Sequence, residues 1–196
     1  MEIGSIVWSK SHFLYFGQIN NSRVKNPPLP EDYAIGRFVK VQVENTNIYG
    51  VILDTILHNP TYSISKYFNF IPEPQELNIL SPDSTNEATT LIKVLFIGSM
   101  KDNVFSQEVS ELSIPVYSKI LKASDEEIKK LHHIENGTLQ IRYLNQLDIY
   151  LDEEHFLHVL RKITEQLKRF CKAEEIKKLD ILLKTYTLRH NLQTHF

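Results

Sequence analysis

Residues 37–44 alternate without a break. Val39, Val41 and Val43 fall on one face and Lys40, Gln42 and Glu44 on the other. A period of two over this length is the pattern of a strand with one buried face. Similar short apolar runs lie at residues 3–8, 13–19, 49–57 and 91–97. No long amphipathic segment separates them before residue 124, so the crossover helices that a parallel sheet requires have nowhere to form. Closely spaced antiparallel strands of this kind close into a barrel or stack as a sandwich. The expectation is an α+β protein: a small N-terminal antiparallel β-barrel followed by C-terminal helices.

The turns support that order. Ser9-Lys10-Ser11 separates the first two runs, Asn45-Thr46-Asn47 joins the third to its hairpin partner, and Gly98 closes the fifth. Two stretches interrupt the strands. Residues 20–31 hold Pro27, Pro28 and Pro30, and residues 59–88 hold Pro60, Pro72, Pro74 and Pro82. Both read as long loops, the second with a short strand at 67–71. Pro27 and Pro30 have the spacing of a PxxP ligand, but a structural loop is the better reading of so common a pattern.

At Ser124 the character changes. Ser124-Asp125-Glu126-Glu127 is a capping box, with the serine hydroxyl accepting from the amide three residues on and Glu127 reaching back. Ile128, Leu131 and Ile134 then share a helical face, and Asn136-Gly137 ends the helix or starts a hairpin. Residues 139–144 and 148–151 read as two short strands. Three regions follow: a barrel over 1–123, a short helix and two strands over 124–151, and basic amphipathic helices over 152–196.

In the last region Asp152 is the expected N-cap, with Glu153 and Glu154 in the first turn where the helix dipole favours anions. Phe156, Leu160, Ile163, Leu167 and Phe170 make one apolar stripe. A second stripe holds Ile176, Leu179, Leu183 and Tyr186. The change of register near 171–174 implies two helices, or one helix that changes its buried face. Leu157, Val159, Ile181 and Leu188 fall outside the main stripes and are expected against a partner.

Charge is unevenly spread. The net formal charge is −2, yet residues 155–196 carry nine Lys/Arg against four Asp/Glu. Such a tail on an acidic body suggests self-association or an anionic partner. Arg161, Lys162, Lys168, Arg169 and Lys172 are the candidate contacts, for nucleic acid or for a protein. Flanking a helical seam is their simpler role, and the pI of 6.4 falls short of a strongly basic nucleic-acid binder. A single cysteine, Cys171, excludes an intrachain disulfide and fits a reducing compartment. Without a signal-like leader or an apolar run long enough to span a bilayer, a cytoplasmic location with no membrane contact is expected.

The search for catalytic chemistry finds no phosphate loop, no GxGxxG, no HExxH and no GxSxG. No enzyme activity and no cofactor is expected. His155 and His158, with Glu154 beside them, could present two metal ligands, but Phe156 and Leu157 are woven between them and a surface or packing role is favoured. His132 and His133 diverge on a helix. Lys168, Arg169 and Lys172 beside Cys171 would lower its thiol pKa, though no partner base is placed to use it. Asn20-Asn21-Ser22 and Asn136-Gly137-Thr138 match the glycosylation pattern, which a cytosolic chain does not use.

Residues 1–152 resemble the HAS barrel, the N-terminal barrel of HerA-type hexameric translocase ATPases and of ATP synthase subunits. The resemblance is carried by Gly36-Arg37-Phe38-Val39-Lys40-Val41, by Tyr49-Gly50-Val51-Ile52, by residues 91–98, and by Ile114-Pro115-Val116-Tyr117 leading into Lys122-Ala123-Ser124-Asp125-Glu126-Glu127. Residues 139–144 and 149–152 look like the link from barrel to motor. In those ATPases a Walker A segment comes next. Here basic helices follow instead, so ATP hydrolysis is not carried over. The resemblance implies a barrel that packs into rings or docks on a separately encoded ATPase or nuclease. The leading expectation is a non-catalytic assembly or adaptor module of a HerA-like DNA-processing or translocation complex, with direct nucleic-acid binding by the basic helices as the alternative.

Overall fold

The computed structural model describes residues 1–20, 26–58, 89–133 and 137–193, with side chains described as far as residue 189. Among the described residues there are seven strands: β1 (Glu2–Ser9), β2 (Leu14–Ile19), β3 (Phe38–Val43), β4 (Thr46–His58), β5 (Thr89–Lys101), β6 (Val104–Ser106) and β7 (Lys119–Lys122). The α-helices of the described residues are α1 (Asp125–His132), α2 (Leu144–Tyr150), α3 (Glu153–Leu167) and α4 (Ala173–Gln193). The order around the sheet is β1-β2-β5-β4-β3-β7 and back to β1, with every pair antiparallel. The N-terminal part is thus a closed six-stranded antiparallel barrel followed by helices, the expected α+β class.

Two cores share one barrel wall. The interior is filled by Ile3, Ile6, Val39, Val41, Ile48, Ile52, Ile92, Val94 and Ile120, with Tyr15 and Phe96 meeting edge to face. Phe38, Tyr49, Val51, Leu53, Leu95 and Ile97 point outward, under the helices. This explains why β4 is buried without interruption from Ile48 to Leu53 while β3 alternates. A wall covered on both sides needs apolar residues at every position. Each such Leu, Ile or Phe contributes about 1.5–3 kcal/mol by leaving water. In β1 the interior residues Ile3 and Ile6 are three apart, which a regular strand cannot place on one face. The register shifts between Glu2 and Gly4 against β7, and that irregularity turns both side chains inward.

Several boundaries differ from the sequence reading. The β3–β4 turn is tighter than expected: Val43 pairs with Thr46, and Glu44 takes a left-handed φ of 51°. β5 does not stop at Gly98 but continues to Lys101, because the glycine lets β6 approach; a Cβ there would lie 2.4 Å from the Ser106 carbonyl oxygen. Asp102 and Asn103, both with positive φ, make the two-residue turn into β6. The loop at 59–88 with its strand at 67–71, residues 21–25, Ile134 and Asn136 lie outside the described residues. The two short strands expected at 139–144 and 148–151 are absent. Residues 144–150 form α2, because Tyr143, Leu147 and Leu151 recur at a helical spacing and the first two are fully buried.

The capping box at Ser124 is present, and it fastens α1 to the barrel. Ser124 Oγ accepts from the Glu127 amide at 3.3 Å, and Glu127 Oε2 accepts from the Ser124 amide at 2.9 Å. The other carboxylate oxygen accepts from Lys40 Nζ on β3 and from Tyr49 Oη on β4. Burial pushes this carboxyl up, but Lys40, Ser124 and Tyr49 together outweigh it and hold Glu127 below the ordinary range. Deeper in, Gln107 donates to the Leu131 and Gln140 carbonyls at 2.8 and 2.9 Å and accepts from the Arg142 amide at 2.7 Å. One buried side chain therefore satisfies three backbone groups that leave α1 and its following segment unpaired.

His132 is fully buried between Phe38 and Tyr143. Its Nδ1–H donates to the Ile128 carbonyl at 2.7 Å, and its Nε2 pairs with Tyr143 Oη at 2.8 Å, accepting from the hydroxyl when the ring is neutral. Burial pushes its pKa down to about 4.

Candidate functional site

α3 is amphipathic and presents two different surfaces. Asp152 caps it, accepting from the His155 amide at 3.0 Å. Phe156, Leu160, Ile163 and Leu167 are buried against the barrel wall as their spacing requires, and Phe170 is half-buried. Val159, expected against a partner, belongs to this internal core at 1% exposure; its position one turn from Phe156 and Ile163 widens the stripe. Leu157 also packs partly against the core. A 3-10 turn, Lys168–Phe170, follows α3, and Cys171 is extended (φ −94°, ψ 147°), so the chain breaks into two helices where the stripe changes face.

The flank of α3 beside this stripe meets the turn at residues 34–37. Gly36 has φ +80°, and a Cβ on it would lie 2.5 Å from Lys162 Cβ, so only glycine lets the turn touch the helix. Gln166 Nε2 donates to the Gly36 carbonyl, and the Gly36 amide donates to the Ile52 carbonyl of β4 at 2.8 Å. Helix, turn and barrel are thereby held in one arrangement. On either side of this contact lie two adjoining clefts that share Ile35 and His158. The larger, about 560 Å³, has Glu154, His155, Leu157 and Arg161 along α3. The smaller, about 380 Å³, has Arg37 on the barrel side and Lys162, Glu165 and Arg169 on the helix.

The five basic residues singled out in the sequence divide here. Arg161, Lys162 and Arg169 line the clefts, joined by Arg37, which the sequence did not mark. Lys168 is turned toward α4, where Asp180 holds it at 2.6 Å, and Lys172 is exposed at the break between the helices. Lys162 pairs with Glu165 at 3.1 Å, whereas Arg161 and Arg169 are exposed and make no ion pair among the described residues. His155 and His158 line the same cleft but belong to no group of three ligating side chains among the described residues; His155 Nδ1 instead meets the capping Asp152 at 2.6 Å, which raises its pKa. The Cys171 thiol is corrected too. Burial, then the charge of Glu175, pushes its pKa up; the neighbouring cations do not lower it, because Lys168 is engaged elsewhere and Glu175 is the charge that faces the sulfur. His133, Cys171 and Glu175 are brought together, three ligating groups from separate elements.

The fold and site define a barrel-and-helix protein with a cationic cleft against its third helix. Among the described residues no helix is long and apolar enough to cross a membrane. The chain belongs to the family described as a domain of unknown function (DUF8166), whose model matches residues 1–194. That description makes no link to a HAS barrel or to HerA-type ATPases. No curated protein matches the sequence.

Proposed function

We propose that this protein is a non-catalytic docking module and that the cleft along α3 is its binding face, taking an acidic segment of a protein partner. The observation that carries this reading is the pair Arg161 and Arg169, exposed and without a carboxylate partner among the described residues, beside the apolar Ile35 and Leu157. Apolar contact flanked by unpaired guanidinium groups is the composition of an interface hot spot. Glu154 and Glu165 on the same walls favour a polypeptide with spaced acidic side chains over an unbroken phosphate backbone. The closed barrel is compatible with the HAS-barrel resemblance, and on that ground the partner is a separately encoded ATPase or nuclease of a translocation complex.

The test is co-purification of the tagged chain from its native cells, wild type beside Arg161→Glu/Lys162→Glu/Arg169→Glu. The expected result is one protein retained by the wild type and reduced at least about tenfold by the variant, as the loss of a charged hot spot requires. Identical profiles from the two chains would remove the cleft from consideration. Salt-dependent binding of purified wild type to duplex or single-stranded DNA, lost in the variant, would replace this reading with direct nucleic-acid binding.

A further inference from the structure

Where α1 ends and α4 begins, three side chains that no spacing in the sequence connects turn toward one point. His133 is the C-cap residue of α1, Cys171 sits in the extended break after α3, and Glu175 lies in the first turn of α4. Their ligating atoms all lie within 4.8 Å of one another, and each residue is half-buried.

Two of the three are already oriented. His133 Nδ1 lies 3.0 Å from the Lys129 carbonyl oxygen, a partner that can only accept, so the ring carries a proton on Nδ1. Its Nε2 then faces Glu175 Oε1 at 3.3 Å. Glu175 is fixed in turn by backbone amides, Oε1 accepting from Leu139 at 3.2 Å and Oε2 from Lys172 at 2.9 Å. At that distance an Nε2 lone pair and a carboxylate oxygen are placed to share a cation between them. A proton would make the pair a simple salt bridge, but it gives no role to the sulfur beside it. A metal ion uses all three donors.

We infer that His133 Nε2, Cys171 Sγ and Glu175 Oε form a zinc(II) site that clips the end of α1 to the start of α4. The donor set of nitrogen, sulfur and oxygen suits zinc, a borderline-soft ion that accepts all three. Zinc bonds of about 2.0–2.3 Å place tetrahedral ligand atoms about 3.3–3.7 Å apart, so the 3.3 Å nitrogen–oxygen separation already fits, and the sulfur lies within 4.8 Å of both atoms. The Lys129 carbonyl on the far ring nitrogen and the amides on Glu175 are the outer contacts that orient such ligands. Three protein donors leave the fourth position to water or to an incoming group. The site is separate from the α3 cleft and stands or falls without it.

The experiment uses the full chain, stripped with chelator and titrated with cobalt(II) chloride, then with zinc chloride. Expected are a thiolate-to-cobalt charge-transfer band, visible bands of a tetrahedral ion at about one equivalent, and bleaching of both by zinc. Zinc at about a hundredfold excess over its Kd is expected to raise Tm by about 5–10 °C. Cys171→Ser should lose the charge-transfer band, and His133→Ala and Glu175→Gln the tetrahedral bands, while His12→Ala keeps them. Absence of the thiolate band in folded wild type overturns the inference without recourse to any variant, and so does a band that persists in Cys171→Ser.

Discussion

α3 and α4 are neighbours in sequence, similarly mixed in charge and apolar content, and held in opposite ways. α3 buries Phe156, Val159, Leu160, Ile163, Thr164 and Leu167 in the core it shares with the barrel. α4 buries Leu179 alone among its described side chains, with Leu182, Leu183 and Tyr186 half-covered. Its Ile181 and Leu188 stand 64% and 63% exposed. What separates the two is not how many apolar residues they own but whether those residues keep one register over a surface ready to receive them. The barrel wall offers α3 a complete floor. α4 leans on α3, through Tyr186 against Phe156 with ring centroids 4.9 Å apart and through Asp180 on Lys168. The closely packed helix carries the cleft, and the loosely held one carries Glu175, one of the three groups around the inferred metal.

The contrast can be broken most severely at Leu160. Leu160→Ala should cost about 2–5 kcal/mol in urea denaturation, since the barrel wall cannot collapse to fill the space. Acidification comes next. His132 has a folded pKa below its unfolded value, so its contribution is fully present above about pH 6.5 and is lost as pH falls toward about 4. Between about pH 7 and pH 5 it should remove about 2 kcal/mol, measured as the difference between wild type and His132→Gln, whose side-chain amide does not titrate. Wild type and variant losing equal stability over that interval would rule out a buried neutral imidazole. Ser124→Ala should cost about 1 kcal/mol, the usual worth of an N-cap. Smallest of all, Ile181→Ala and Leu188→Ala should stay within about 0.5 kcal/mol. A concentration-dependent loss well beyond that, paired with a dimer in light scattering, would mean that a second copy covers the outer face of α4 and that the two helices are equally anchored.

The parts of the fold that could be read beforehand share a physical cause. β3 alternates because one face meets the interior and the other is partly wet, and α1 and α3 announce themselves through Ser124 and Asp152. β6 and β7 have three and four residues, and in Lys119–Lys122 only Ile120 is buried, so neither leaves a periodic trace. The α2 segment reads as strand in the sequence because Ile149-Tyr150-Leu151 is rich in β-forming types. Ile149 is in fact 76% exposed, and the useful signal was the four-residue spacing of Tyr143 and Leu147. At the cleft, Arg161, Lys162 and Arg169 were visible as cations off the stripe. Arg37 and Ile35 were not, because their place depends on Gly36 pressing a barrel turn onto a helix more than a hundred residues away. His133, Cys171 and Glu175 belong to the same class: they come from three segments that only the packed helices bring together.

Site-specific photocrosslinking in the native cells tests the docking role most directly. A photoreactive residue at position 158, where the two clefts meet, is to be compared with one at position 42 on the exposed face of β3. The expected result is a discrete protein adduct from position 158 that disappears when Arg161 and Arg169 are reversed in charge. An adduct of equal yield from both positions, or one indifferent to the charge reversal, would contradict the account.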